Sequence, residues 1–228
     1  MAKDKFFEQR RGKKQERKAG QKEPKPNTFL IVSEGEKTEP FYFDGLRDYI
    51  NNQYNSNSIY SEKPVIQTRG EGRSTKKLVE EANYLVARSK VLYSQVWLVF
   101  DRDDNVDFDE AIELAKKMEY HVAWNNRSFE YWIFLHYNFS DAALDQAGWT
   151  GKISEIFKQK RIDPNGYKKS DPKVFRIVTA DGGLKRAVKN AIKREEQCGK
   201  ALPSQCDPCT TVHHLILQLA PYLKDLLE

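Results

Sequence analysis

Two apolar runs, Phe29-Leu30-Ile31-Val32 and Val96-Trp97-Leu98-Val99-Phe100, punctuate a chain of otherwise mixed polar and apolar positions. Neither shows the polar alternation of a half-exposed strand, so both have the composition of strands buried on two faces of a parallel sheet. Strands are expected over residues 27–33 and 95–100, with a weaker one around 64–68 and a short one over 120–124. Helical spacing fills the intervals. A helix is predicted over 38 to about 52, with Thr38 as N-cap, Pro40 in the first turn, and Phe41, Leu46, Tyr49 and Ile50 available for burial. From Ser74 onward Leu78, Ala82, Leu85 and Val86 recur at helical spacing, and a third helix is expected over 108 to about 118.

After Arg127 the pattern turns helical: an aromatic-crowded segment at 128–137, a basic amphipathic stretch at 150–161, and helices over 183–196 and 210–227. Strands alternating with helices imply parallel pairing through right-handed crossovers. The fold class is therefore α/β, a mostly parallel sheet flanked by helices, with a helical, basic C-terminal extension. Three regions follow: a flexible basic arm (1–26), an α/β core (27–140) and a mainly helical region packed on it (141–228).

The apolar runs end in acids. Glu34 follows the first, and Asp101 and Asp103 follow the second. Carboxyl ends of strands in open α/β sheets face the crevice where ligands bind. Side chains at i and i+2 of an extended segment point the same way, so Asp101 and Asp103 are expected to converge while Arg102 turns aside. Three oxygen donors with room for water suit Mg²⁺ or Mn²⁺. The plainer alternative is a turn and helix N-cap, roles in which Asp and Asn are both favoured. Glu130, flanked by Phe129 and Tyr131-Trp132, is a second candidate, either for a further metal, for a bridge to His136, or as a salt-bridge partner of Arg102 or Arg127. His136 itself reads as a satisfied core histidine before it reads as catalytic.

Charge sharpens the picture. The net +5 conceals ten Lys and Arg against four acids in residues 1–26, thirteen against twenty in 27–150, and fourteen against six in 151–200. An acidic core between basic flanks suits a metal site that works on a polyanion, so nucleic acid is the expected partner. Lys37, Arg73, Lys168 and Lys169 are the candidate phosphate or nucleic-acid contacts. The loop Gly70-Glu71-Gly72-Arg73-Ser74 lacks the Gly-x-x-x-x-Gly-Lys-Ser/Thr pattern, so any ATPase work belongs to another polypeptide. No apolar stretch approaches the roughly 20 residues of a membrane span, and the start lacks a signal-peptide core, so a cytoplasmic protein is expected.

The three cysteines, with His213, give Cys198-x7-Cys206-x2-Cys209-x3-His213, a spacing that zinc accepts. The same segment reads as a helix start, with Pro208 near the first turn and Val212, Leu215, Ile216 and Leu219 forming an apolar face, and that reading is preferred to zinc. A disulfide ranks below both.

Ser33-Glu34-Gly35-Glu36-Lys37-Thr38-Glu39-Pro40, Tyr42-Phe43, and Phe100-Asp101-Arg102-Asp103 together resemble the glutamate and DxD signature of the Toprim fold, a Rossmann-like architecture, as carried by RloB-like proteins. Ser128-Phe129-Glu130-Tyr131-Trp132, Leu135-His136-Tyr137, Asp207-Pro208 and Thr210-Thr211-Val212-His213 extend the likeness from about Phe29 to Leu217. The resemblance implies Mg²⁺-dependent phosphodiester chemistry, a nuclease of DNA or RNA, tRNA included, in a family associated with prokaryotic antiviral defence and often set beside an ATPase partner. Cys209 stands where the family tends to have Ser. A non-catalytic nucleic-acid-binding or adaptor subunit is the alternative.

Overall fold

The computed structural model describes residues 28–35, 37–54, 59–62 and 75–228. The expected arm (1–26), the strand around 64–68, Ser74 and Arg73 lie outside the described residues. The chain runs β1 (Phe29–Ser33), α1 (Thr38–Gln53), β2 (Ile59–Glu62), α2 (Thr75–Arg88), β3 (Gln95–Asp101), α3 (Phe108–Lys117) and β4 (His121–Asn126). There follow α4 (Phe129–Leu135), α5 (Gln146–Gln159), α6 (Val174–Thr179), α7 (Gly183–Cys198), β5 (Cys209–Thr210), α8 (Val212–Gln218) and α9 (Lys224–Leu227).

Among the described residues five strands lie in the order β2-β1-β3-β4-β5, parallel except for β5, which runs antiparallel to β4. This is the expected α/β class with a mostly parallel sheet. The two apolar runs are strands because neither has a face for water: Leu30, Ile31, Val32, Leu98, Val99 and Phe100 are all fully buried. Odd and even positions serve different cores. Leu30, Val32, Leu98 and Phe100 pack with Leu78, Val79 and Ile112 of α2 and α3. Ile31 and Val99 face a larger core built by α1 and every helix from α4 to α8, continuing to Leu223.

Several helix ends are held by tertiary partners. The Asp107 carboxylate, just ahead of α3, accepts from the backbone N–H groups of Thr75 and Lys76 at the start of α2, satisfying donors that a local cap otherwise would. Asp145 caps α5 in the ordinary way, accepting from Gly148 N–H at 2.8 Å. Gly45 of α1 sits where a Cβ would collide with Phe175 of α6, so these helices pack at glycine distance.

The described residues hold a strand at Ile59–Glu62 that was not expected, and two expectations are corrected. The helix over 210–227 is broken: Cys209 and Thr210 form a strand, α8 ends at Gln218, and Pro221 sits in a 3-10 turn before α9. The segment Cys206–Thr211 leads into α8 at Val212, and the expected apolar face Val212, Leu215, Ile216 and Leu219 is buried. Thr38 lies inside α1, with Lys37 at the N-cap position, and its hydroxyl makes no cap. Among the described residues no helix is long and apolar enough to cross a membrane.

Candidate active site

β1 leads to β2 on one side of the sheet, and the chain then crosses to β3 on the other, so the topological switch point falls between β1 and β3. In open α/β sheets the ligand crevice opens there, outside the carboxyl ends of the strands. Glu34 leaves β1 at this point, its backbone N–H donating to Val99 O of β3 at 2.9 Å. Asp101 is the last residue of β3. Two further acids arrive on helices: Glu39 in the first turn of α1 and Glu130 in the first turn of α4.

Asp101, Glu39 and Glu130 are 8%, 8% and 1% exposed, an unusual burial for three carboxylates. Burial, then the neighbouring charges of Glu39, Glu130 and Asp103, pushes the Asp101 carboxyl well above its ordinary range. Glu39 is pushed up to about 7, mainly by burial, with Glu130 and Glu34 adding to the shift and Lys169 opposing it. The five acids thus share one electrostatic neighbourhood, with Glu34 coupled to Glu39 and Asp103 to Asp101. Their oxygens are not drawn together into a closed ligand cage: among the described residues, the sets of three ligand atoms within 4.8 Å of one another are elsewhere.

The route by which Asp103 reaches this neighbourhood differs from the extended i, i+2 pairing expected. The strand ends at Asp101, and Asp103 sits in a turn at φ 41°, its N–H donating to Arg127 O at 3.2 Å. Asp101 is itself held on both oxygens. Oδ1 accepts from Asn125 Nδ2 at 2.9 Å, and Oδ2 accepts from the Phe129 N–H at 3.0 Å, which opens α4.

Glu130 pairs with neither Arg102, Arg127 nor His136. Its Oε1 lies 3.3 Å from Lys169 Nζ, and the Thr38 hydroxyl has Glu130 Oε1 and the Lys169 carbonyl in reach, each at 3.4 Å. Arg127 instead pairs with Asp207 at 2.7 Å, and Arg102 reaches Asn126 Oδ1. His136 is a satisfied core histidine. Its Nδ1 lies 3.0 Å from Trp132 O and its Nε2 3.2 Å from the Tyr42 hydroxyl, and burial lowers its pKa to about 3, so the ring is neutral. Of the candidate phosphate contacts, Lys37 is exposed at the head of α1, Lys169 is engaged with Glu130, and Lys168 is ion-paired with Asp163 at 3.2 Å.

Glu39 escaped the sequence reading because an acid in the first turn of a helix is ordinary. A usable signal was Gly35: a Cβ there would run into the Glu39 carboxylate, so the loop passes directly over that acid. Asn125, which supports Asp101, carries no sequence signal beyond its place at the end of β4.

The cysteines also part from expectation. Cys198 and Cys206 are joined, their Cα atoms 5.6 Å apart, although a disulfide ranked last, and buried Cys209 stands beside the pair.

No curated protein and no solved structure matches this chain. A model of the RloB-like protein family matches residues 29–219, which takes in every strand and all the acids described above. Such membership is consistent with a defence-associated protein. By this match over most of its length, the chain belongs to the RloB-like protein family.

Proposed function

We propose that the chain is a divalent-metal-dependent hydrolase of nucleic-acid phosphodiesters, with a Toprim-type core, acting in prokaryotic defence beside an ATPase partner. The observation that carries this reading is the gathering of buried Glu39, Asp101 and Glu130, with Glu34 and Asp103 beside them, at the switch point of a parallel sheet. The burial and like charges that raise the pKa of Glu39 and Asp101 are an unfavourable arrangement in isolation, and a hard cation relieves it. Glu34, Asp101 and Asp103, joined by Glu39, are the residues that would hold Mg²⁺ or Mn²⁺. When bound, the ion supplies Lewis acidity toward the phosphate oxygens and shields the charge that develops there.

The protein's own groups supply the rest. Glu39, pushed up to about 7 without an ion, would give up its proton to join the ligands when one binds. Lys169 sets a positive charge against buried Glu130. Exposed Lys37 at the head of α1 offers a positive contact for a phosphate.

One observation favours a second reading, a non-catalytic nucleic-acid-binding or adaptor subunit: both Asp101 oxygens already have hydrogen-bond donors, one of them opening α4, so the acid also serves the fold. Calorimetry with Mg²⁺ and Mn²⁺ separates the two, since an adaptor binds neither ion here. The decisive assay incubates the protein with Mn²⁺ and single-stranded DNA, duplex DNA or total tRNA. Cleavage is expected for the wild type and its loss for Glu39→Gln and Asp103→Asn, with unchanged circular dichroism. Cleavage that survives in both variants rejects the proposal.

A further inference from the structure

A second cluster of ligand-type side chains lies at the β5 edge of the sheet. Cys198 ends α7, Cys206 follows the 3-10 turn at Pro203–Gln205, and Cys209 opens β5. Their three sulfurs all lie within 4.8 Å of one another, and Cys206 and Cys209 are buried. One helical turn before Cys198, a single Glu195 oxygen meets His213 Nε2 at 3.0 Å and His214 Nε2 at 2.9 Å. Glu195, Cys198, Cys206, Cys209 and His214 line one cleft of about 380 Å³.

We propose that the reduced chain binds one zinc ion through the thiolates of Cys198, Cys206 and Cys209, with the fourth position turned toward Glu195 and His214. Opening the Cys198–Cys206 disulfide first takes two electrons from a thiol reductant, and zinc binding then releases the three thiol protons. Three arguments support it. A Cys198–Cys206 disulfide needs two sulfurs, yet a third from a separate element converges on them. Sulfur donors select a soft ion such as zinc and not the magnesium class. The ligands come from a helix end, an irregular loop and a strand, and tying such elements together is what structural zinc does in place of a core.

The site would be structural, with a consequence for the acids. Thr210, next to Cys209, donates to Asn125 Oδ1 at 2.7 Å, and Asn125 holds Asp101.

The test purifies the full chain under reductant without chelator, measures zinc by mass spectrometry, and counts thiols after denaturation with chelator. About one zinc per chain and all three thiols are expected. Cys209→Ser should lose zinc to a competing chelator at least tenfold more readily. Cobalt added to the apo wild type should give thiolate charge-transfer absorption, a readout that does not depend on any variant folding. A single thiol with no zinc establishes the disulfide instead and overturns the proposal. So do three thiols with no zinc and no cobalt–thiolate band.

Discussion

Asn125 bridges Asp101 to Thr210, donating from Nδ2 to the Asp101 carboxylate at 2.9 Å and accepting on Oδ1 from the Thr210 hydroxyl at 2.7 Å. The bridge joins the end of β3 to β5 through the end of β4, and all of it is buried. Asn125→Ala leaves two buried groups unpaired and should cost about 1–3 kcal/mol, read as a lower midpoint in thermal or urea unfolding. Asn125→Asp sets an acid against Asp101, so its destabilisation should be greater at pH 8 than at pH 5.

Glu39 makes stability depend on pH in a direction opposite to most carboxylates. Its folded pKa, about 7, lies above the ordinary 4.5, so the folded state binds the extra proton between those values. Its contribution is therefore most favourable below about pH 4.5 and is lost as pH rises through 7. Glu39→Gln should match the wild type at low pH and exceed it at pH 8, by at most about 3 kcal/mol. Mg²⁺ should raise the wild-type midpoint at pH 8 and leave the variant's unchanged. A constant offset across the pH range would rule out a raised Glu39.

Lys169 is expected to matter through Glu130. Lys169→Met leaves a buried acid without its cation and should cost about 1–3 kcal/mol, tempered by the partial exposure of the lysine. Adding Glu130→Gln should restore much of the loss. A double-mutant cycle showing additivity would break the link between them.

Gly35→Ala tests the loop over Glu39. The new Cβ overlaps the Glu39 carboxylate, which has to turn away. Divalent-ion affinity and any cleavage should fall about tenfold or more with a smaller change in unfolding midpoint than Asn125→Ala produces.

The strands β1 and β3 were legible because burial on both faces leaves an unbroken apolar run, a signal that does not depend on distant contacts. The acids at their ends followed from the same logic. Less legible were elements stabilised from afar. α6, six residues long, was missed, since its helix rests on packing against α1 and not on periodicity. The split of the last helix followed Pro221, yet the strand at Cys209–Thr210 exists only because β4 offers an edge to it. Asp103 was placed in the right neighbourhood by the wrong geometry, a turn where extension was assumed. Glu39 stayed hidden because burial, which makes it unusual, is a property of the assembled fold.

The larger core has a kinetic corollary. Ile31 and Val99 are covered by side chains as late as Leu219 and Leu223, and Gln53 reaches Asp225 across 172 residues of chain. During translation the first strands therefore emerge with one face bare and wait for partners made much later. Such long-range closure slows folding, and the bare face is prone to aggregation until it is covered. Stalled nascent chains that display residues only through Leu135 should be strongly chaperone-bound and protease-sensitive.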